Sequence, residues 1–342
     1  MLARVRRFWQ GEERLLVSLF PAKLGYSQVV DDAAILQHAR TSLPCLAQLP
    51  GVNLPSFSAN FGTISTAKYW GGTPRFDSTG GNIYLPPVAN TLDEAIKLEP
   101  LPVGDDAMDG AHGLRLYREL CAELETDALW MRTPDFQGTL TTAVQVLEQQ
   151  ELLMALYCEP EQAHRFLDRV CSFLIDYGEY LKRETGNRIC GNIWPDTFLP
   201  CDLGMSFTED LMPLLSVELY REFGIPYLRR MERAFGGLHI HCCGDWGRHA
   251  PTLRDAELQI LAMEFHYPHT RIDEIACLEH TVFIPYILLD QQTQFNDQYA
   301  YFRYLIEETD TRIRYWFVIP GDDEAALQFA REFGGDSAAG SG

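Results

Sequence analysis

A chain of 342 residues with a formal net charge of −20 and only 28 lysines and arginines lacks the clustered cations that a phosphate backbone or an anionic bilayer requires, which argues against nucleic acid or membrane as partners. Its apolar and charged fractions, 46% and 22%, are those of a globular protein able to bury a sizeable core. No stretch reaches the roughly 18 to 20 apolar residues of a membrane helix, and the opening MLARVRRFWQGEERLLVSLF reads as no export signal.

Nine cysteines without regular spacing are expected to stay reduced in a cytoplasmic protein. Of these, Cys45, Cys121, Cys171 and Cys277 lie in apolar or helix-like surroundings and read as core thiols.

In chain order, residues 1–50 read as an N-terminal helical extension. Apolar, β-rich runs follow at SFSANFG (56–62), ALWMRTPDFQG (128–138), RICGNIWP (188–195), LHIHCCGD (238–245), LQILAMEF (258–265), TVFIPYILLD (281–290) and RYWFVIPG (314–321). Amphipathic helices separate them, with apolar residues at three-to-four spacing in EQAHRFLDRVCSFLIDYGEYLKRETG and SVELYREFGIPYLRRMERAFGG. An eighth strand is expected within 139–187. The alternation predicts an α/β protein, a single (βα)8 TIM barrel over residues 51–333, followed by a small polar tail at 334–342 expected to be disordered. Neither G-x-G-x-x-G after a strand nor a P-loop occurs, so nucleotide binding is not indicated.

In a barrel, chemistry gathers where strands end. The strand ends here carry Asn60, Asp135, Gln137, Asn192, Trp194, Asp196, Glu264, His266, Asp322 and Asp323. The densest stretch is GGLHIHCCGDWGRH (236–249). Because side chains alternate along a strand, His239, His241 and Cys243 share one face and Leu238, Ile240 and Cys242 the other. An imidazole and a thiol two residues apart on one face are able to reach one ion, and that donor pair favours zinc. The same pair is also compatible with a core histidine beside a buried thiol, and His239, one pleat deeper, reads as an interior histidine. Trp246, Arg248 and His249 follow as candidate ligand or partner contacts. Tyr286, with Trp194, would offer a flat wall to a large planar ligand.

The strings FQGTLTTAVQVL, LYCEPEQAHRFLDRVCSFLIDYGEYLKRETG, DLGMSFTEDLMPLLSVELYREFGIPYLRRM and LHIHCCGD resemble, in this order, the uroporphyrinogen decarboxylase superfamily over roughly residues 50 to 325. The true decarboxylases carry an arginine-rich motif near the N-terminus, and FPAKLGYSQVVDD, in its place, has no arginine. The resemblance is therefore nearer to the zinc-dependent methylcobalamin:coenzyme M methyltransferases, whose metal strand reads H-x-C, matched here by His241 and Cys243. It implies a zinc-dependent methyltransferase working between a corrinoid, supplied on a small corrinoid protein, and a small-molecule thiol.

The family's third ligand, a late-turn cysteine, is replaced in IPGDDE by Asp322. Glu264 is the better expected ligand because it ends the neighbouring strand, with His266 and Asp322 behind it. Asp202 in PCDLG resembles an acidic position before a family loop and joins Asp135 and Gln137 as a candidate catalytic residue. Asn60, Asn192, Trp194, Trp246, Arg248 and Tyr286 are candidate substrate contacts. The alternatives are a lyase acting on a tetrapyrrole through Asp135 or Asp202, and a non-catalytic corrinoid-binding protein.

Overall fold

The computed structural model describes residues 1–20, 31–46, 48–76, 83–321 and 323–335. Its strands are Leu15–Phe20 (β1), Ser56–Phe57 (β2), Arg75–Phe76 (β3), Ile83–Tyr84 (β4), Trp130–Met131 (β5), Met205–Thr208 (β6), Leu238–His241 (β7), Ile260–Tyr267 (β8), Val282–Ile287 (β9) and Arg314–Pro320 (β10). Six of them form one parallel, curled sheet in the order β1-β10-β9-β8-β7-β6.

Parallel strands are covered on both faces, and here the two-residue alternation resolves into two cores. Leu16, Ala262, Val282, Ile284, Trp316 and Val318 belong to an inner cluster. Val17, Leu19, Met263, Phe265, Phe283, Phe317 and Ile319 belong to the layer between sheet and helices. The longest helix, Pro160–Glu184, starts with proline at its first turn and buries Phe166, Leu167, Val170, Leu174, Tyr177 and Leu181 along one stripe. A β-carbon on its Gly178 would meet the Phe235 ring at 2.6 Å, so that helix packs as closely as it does only with glycine there.

The structure corrects several expectations. The first fifty residues are not purely a helical extension: β1 pairs with β10 over its whole length. The helix Leu2–Trp9 ahead of it sends Val5 and Phe8 into the inner core. Residues 139–187 contain helices and no strand, whereas β6 lies at Met205–Thr208. RICGNIWP contributes one isolated bridge, Ile189 to Met131, rather than a strand. Among the described residues the continuous sheet therefore has six strands and not eight. The arc from β6 back to β1 is spanned by the two-residue pair β2–β5 and by bridges such as Gln137 to Thr208.

β1 and β6 escape the sequence pattern for a physical reason. LLVSLF is buried on both faces and shows no polar alternation, and MSFT, buried throughout, alternates over only four residues, too short a stretch to stand out. Cys45, expected in the core, is exposed on the helix Asp32–Leu46. Most of the 334–342 tail, and Asp322, lie outside the described residues.

Candidate metal centre at the strand ends

Register builds this site. Thr208 on β6 pairs with His241 on β7, and Ile240 pairs with Met263 on β8, so the next step brings Glu264 beside His241. On the far side His266 pairs with Tyr286 of β9. The middle strand carries the H-x-C, and its two neighbours each deliver a carboxylate.

Glu264 is 1% exposed and lies between two imidazoles. Its Oε1 is 2.7 Å from His266 Nε2, and its Oε2 is 2.7 Å from His241 Nδ1. The His266 contact is a well-directed hydrogen bond. The His241 contact is not: Nδ1 and Oε2 are both buried and neither has a hydrogen-bond partner among the described residues. The two imidazoles meet edge to face at 6.0 Å, and His266 stacks on Tyr286 at 5.0 Å.

Burial pushes the Glu264 carboxyl up, but the charge of His241 and contacts from both histidines outweigh it and hold the carboxyl down at about 2. Burial likewise opposes a charge on His241, and Glu264, Cys243 and Asp210 overcome it and raise its pKa well above the usual histidine value.

The sequence reading missed Asp210. Its Oδ1 accepts the Cys243 backbone N–H at 3.2 Å, faces the Cys243 thiol at 3.5 Å and lies 3.8 Å from His241 Nε2. Two sets of donor atoms thus share His241, each with all its atoms within 4.8 Å of one another: Asp210, His241 and Cys243 at the rim, and His241, Glu264 and His266 inside. The signal that would have found Asp210 was the unrecognised strand before it. Once β6 is in register with β7, residue 210 follows its strand as residue 243 follows its own.

Asp135, Gln137 and Asn192 lie on the adjoining arc, tied in by the Gln137 to Thr208 bridge. Asp135 is fully buried, with Oδ2 accepting from the Gln137 amide and Oδ1 without a partner among the described residues. Burial, partly offset by Gln137, pushes its carboxyl up to about 7. Asn192 is a structural clamp: Oδ1 accepts from Thr133 Oγ1 and from the Phe136 and Ile193 backbone N–H groups, while Nδ2 donates to the Phe136 carbonyl. Trp194 is half-buried, Asn60 accepts from the Gly62 N–H at 2.9 Å, and the Tyr286 hydroxyl is buried without a partner among the described residues. His239 is fully buried, and burial depresses its pKa to about 3.

Other expected contacts are not at the mouth. Trp246 is fully buried on the helix side of the sheet, its indole N–H donating to the Glu264 carbonyl at 3.1 Å. Arg248 clasps the loop after β6 through the Pro213 and Leu215 carbonyls. His249 is buried against Tyr220. Asp202 precedes β6 at the opposite end of the strand and pairs with Arg6 at 2.8 Å, because a residue just before a parallel strand lies at the sheet's N-terminal edge. Asp322 cannot be placed, since it lies outside the described residues.

Fold and site together define an α/β protein with a curled parallel sheet and a cluster of nitrogen, oxygen and sulfur donors at the strand ends. No protein-family model and no curated protein matches the chain. Among solved structures it is similar in fold to a methyltransferase from Methanosarcina mazei, at 9% identity and a TM-score of 0.66, over 97% of this chain and 96% of that one. It is also similar to a protein from Listeria monocytogenes described as "Putative Vitamin-B12 Independent Methionine Synthase", at 11% identity and a TM-score of 0.52, over 93% and 95% of the two chains.

Proposed function

We propose that this chain is a zinc-dependent methyltransferase that moves a methyl group from a corrinoid to a small-molecule thiol, with His241 and Cys243 as metal ligands and Glu264, expected as a third, holding the His241 imidazole from behind. The observation that carries the metal is the orientation of His241: Glu264 Oε2 meets its Nδ1 at 2.7 Å, which leaves Nε2 on the rim side, where His241 and Cys243 belong to one set of donor atoms within 4.8 Å of one another. A carboxylate on one imidazole nitrogen fixes the ring and raises the basicity of the other, which is how metal-binding histidines are commonly held. Nitrogen and sulfur together favour zinc over magnesium or calcium.

Zinc bound there would lower the pKa of an acceptor thiol and hold it as the nucleophilic thiolate. The chain's own residues prepare that place. His266 fixes the second oxygen of Glu264, and the Trp246 indole fixes its backbone. Contacts of this kind hold the carboxylate that in turn orients His241. Trp194, half-buried, would offer a flat wall to a corrin presented over the strand ends by a small partner protein, while Tyr286 stacks on His266.

Methyl transfer is supported by the likeness in fold to a methyltransferase together with the H-x-C resemblance. One structural neighbour bears a vitamin-B12-independent name, so the corrinoid rests on the sequence resemblance alone. In such a reaction the thiol would lose its proton and take the methyl group, and the demethylated corrinoid would keep the electron pair of the broken bond.

The test is zinc content of protein purified without added metal, together with thiol-dependent loss of methylcobalamin absorbance. About one zinc per chain and turnover are expected. Zinc without turnover would point to a corrinoid-binding protein, and decarboxylation of uroporphyrinogen would overturn the reading in favour of a lyase.

A further inference from the structure

Asp210 is assigned no role by the H-x-C resemblance, yet its carboxylate lies 3.5 Å from the Cys243 thiol and 3.8 Å from His241 Nε2. The parallel register explains why. β6 and β7 end level at Thr208 and His241, so the second residue beyond each strand, Asp210 and Cys243, come out side by side. Glu264 on β8 stands level with His241 and Asp210 level with Cys243, one carboxylate on each flank of the metal strand.

The placement is held from behind. The Glu209 backbone N–H donates to the His241 carbonyl at 2.9 Å, and the fully buried Glu209 side chain accepts from Thr141 Oγ1 at 3.2 Å. A β-carbon on Gly138 would lie 2.1 Å from Glu209 Oε2, so only glycine allows that carboxylate to sit against the start of the helix Thr139–Val146. Residue 210 therefore leaves a fixed strand end, while its own side chain remains 38% exposed.

We infer that Asp210 is itself a metal-binding residue of this centre, its carboxylate joining His241 and Cys243 as an oxygen, nitrogen and sulfur set on the rim side of the ion. The inference rests on the zinc reading above but concerns a residue that reading does not use. Three features support it: the donor atoms of the set all lie within 4.8 Å, their chemistry is that of zinc ligands, and Cys243 and Asp210 both face solvent, where an ion arrives. A purely structural aspartate would need only its contact to the Cys243 N–H.

Zinc alone, and cobalt(II) alone as a spectroscopic stand-in, are the probes. Wild type, Asp210→Asn and Asp210→Cys are titrated with zinc against a chromophoric chelator, and folding is checked by far-UV circular dichroism. Asp210→Asn should weaken zinc binding by about 10- to 100-fold, the scale of disturbed metal shells, while keeping the thiolate-to-cobalt charge-transfer band of Cys243. Asp210→Cys should bind cobalt with a stronger charge-transfer band, because a second sulfur then reaches the metal. Metal uptake by wild type with zinc affinity unchanged in Asp210→Asn, or no added band in a folded Asp210→Cys, overturns the role of Asp210 and leaves the zinc reading intact. Absence of metal uptake by wild type overturns both.

Discussion

The two arcs of the mouth are built differently. From β6 through β7 and β8 to β9 a continuous backbone ladder sets the level of every side chain, and the donors Asp210, His241, Cys243, Glu264 and His266 all stand on it or within two residues of it. From β6 back to β1 the ladder shrinks to two-residue pairs, and polar side chains replace it. Arg132 donates to the carbonyls of Asn192, Asp196 and Thr197 and to Ser56 Oγ, and Asn192 ties Thr133, Phe136 and Ile193 together. A cavity open to solvent lies on this side, lined by Phe20, Asn60, Arg132, Asp196 and Trp316 among others. Reactive side chains sit where backbone hydrogen bonds fix position. The side chains on the weaker arc are spent on holding it together.

The comparison predicts that lesions on the ladder arc cost metal and lesions on the other arc cost stability. The largest effect is expected for Cys243→Ser, which should lower zinc affinity by at least about 100-fold with little change in unfolding free energy. Cys242→Ser, fully buried on the helix side, should retain the metal. Equal zinc loss in both variants would remove the assignment of strand faces.

On the other arc, Arg132→Met should lower unfolding free energy by about 3 to 5 kcal/mol, since buried carbonyls lose a charged donor. Asn192→Ala should cost about 2 to 3 kcal/mol. Urea denaturation reads both, and zinc affinity within a few-fold of wild type is expected in each. A stability loss below about 1 kcal/mol for Arg132→Met would show that the side-chain clamp is dispensable.

A subtler effect concerns the buried carboxyl behind Asp210. Burial, partly offset by Thr141, raises the Glu209 pKa from 4.5 to about 8. A folded state that holds this proton more tightly than the unfolded chain gains stability fully present below the unfolded pKa and lost as pH rises through about 8. In metal-free protein, wild type should therefore lose stability relative to Glu209→Gln between pH 4.5 and 8. A pH-independent difference between the two would mean that the carboxyl ionises normally. The smallest effect belongs to Asp202→Asn, which breaks an exposed pair with Arg6 and should change stability by no more than about 1 kcal/mol. Any loss of zinc in that variant would contradict its position at the far edge of the sheet.

What the sequence by itself determined was local: the face shared by His241 and Cys243, the parity of Glu264 and His266, the long amphipathic helices and the absence of nucleotide motifs. These follow from periodicity along one segment, which a sequence displays directly. Tertiary structure decided whatever depends on the register between segments. It set Asp210 against Cys243 across a separation of 33 residues, spent Arg132 and Asn192 on a clamp, turned Trp246 into the helix layer and put Asp202 at the wrong end of its strand for chemistry. It also made β1 and β6 strands although LLVSLF does not alternate and MSFT is only four residues long, because a parallel strand buried on both faces is specified by its neighbours' hydrogen bonds rather than by its own pattern.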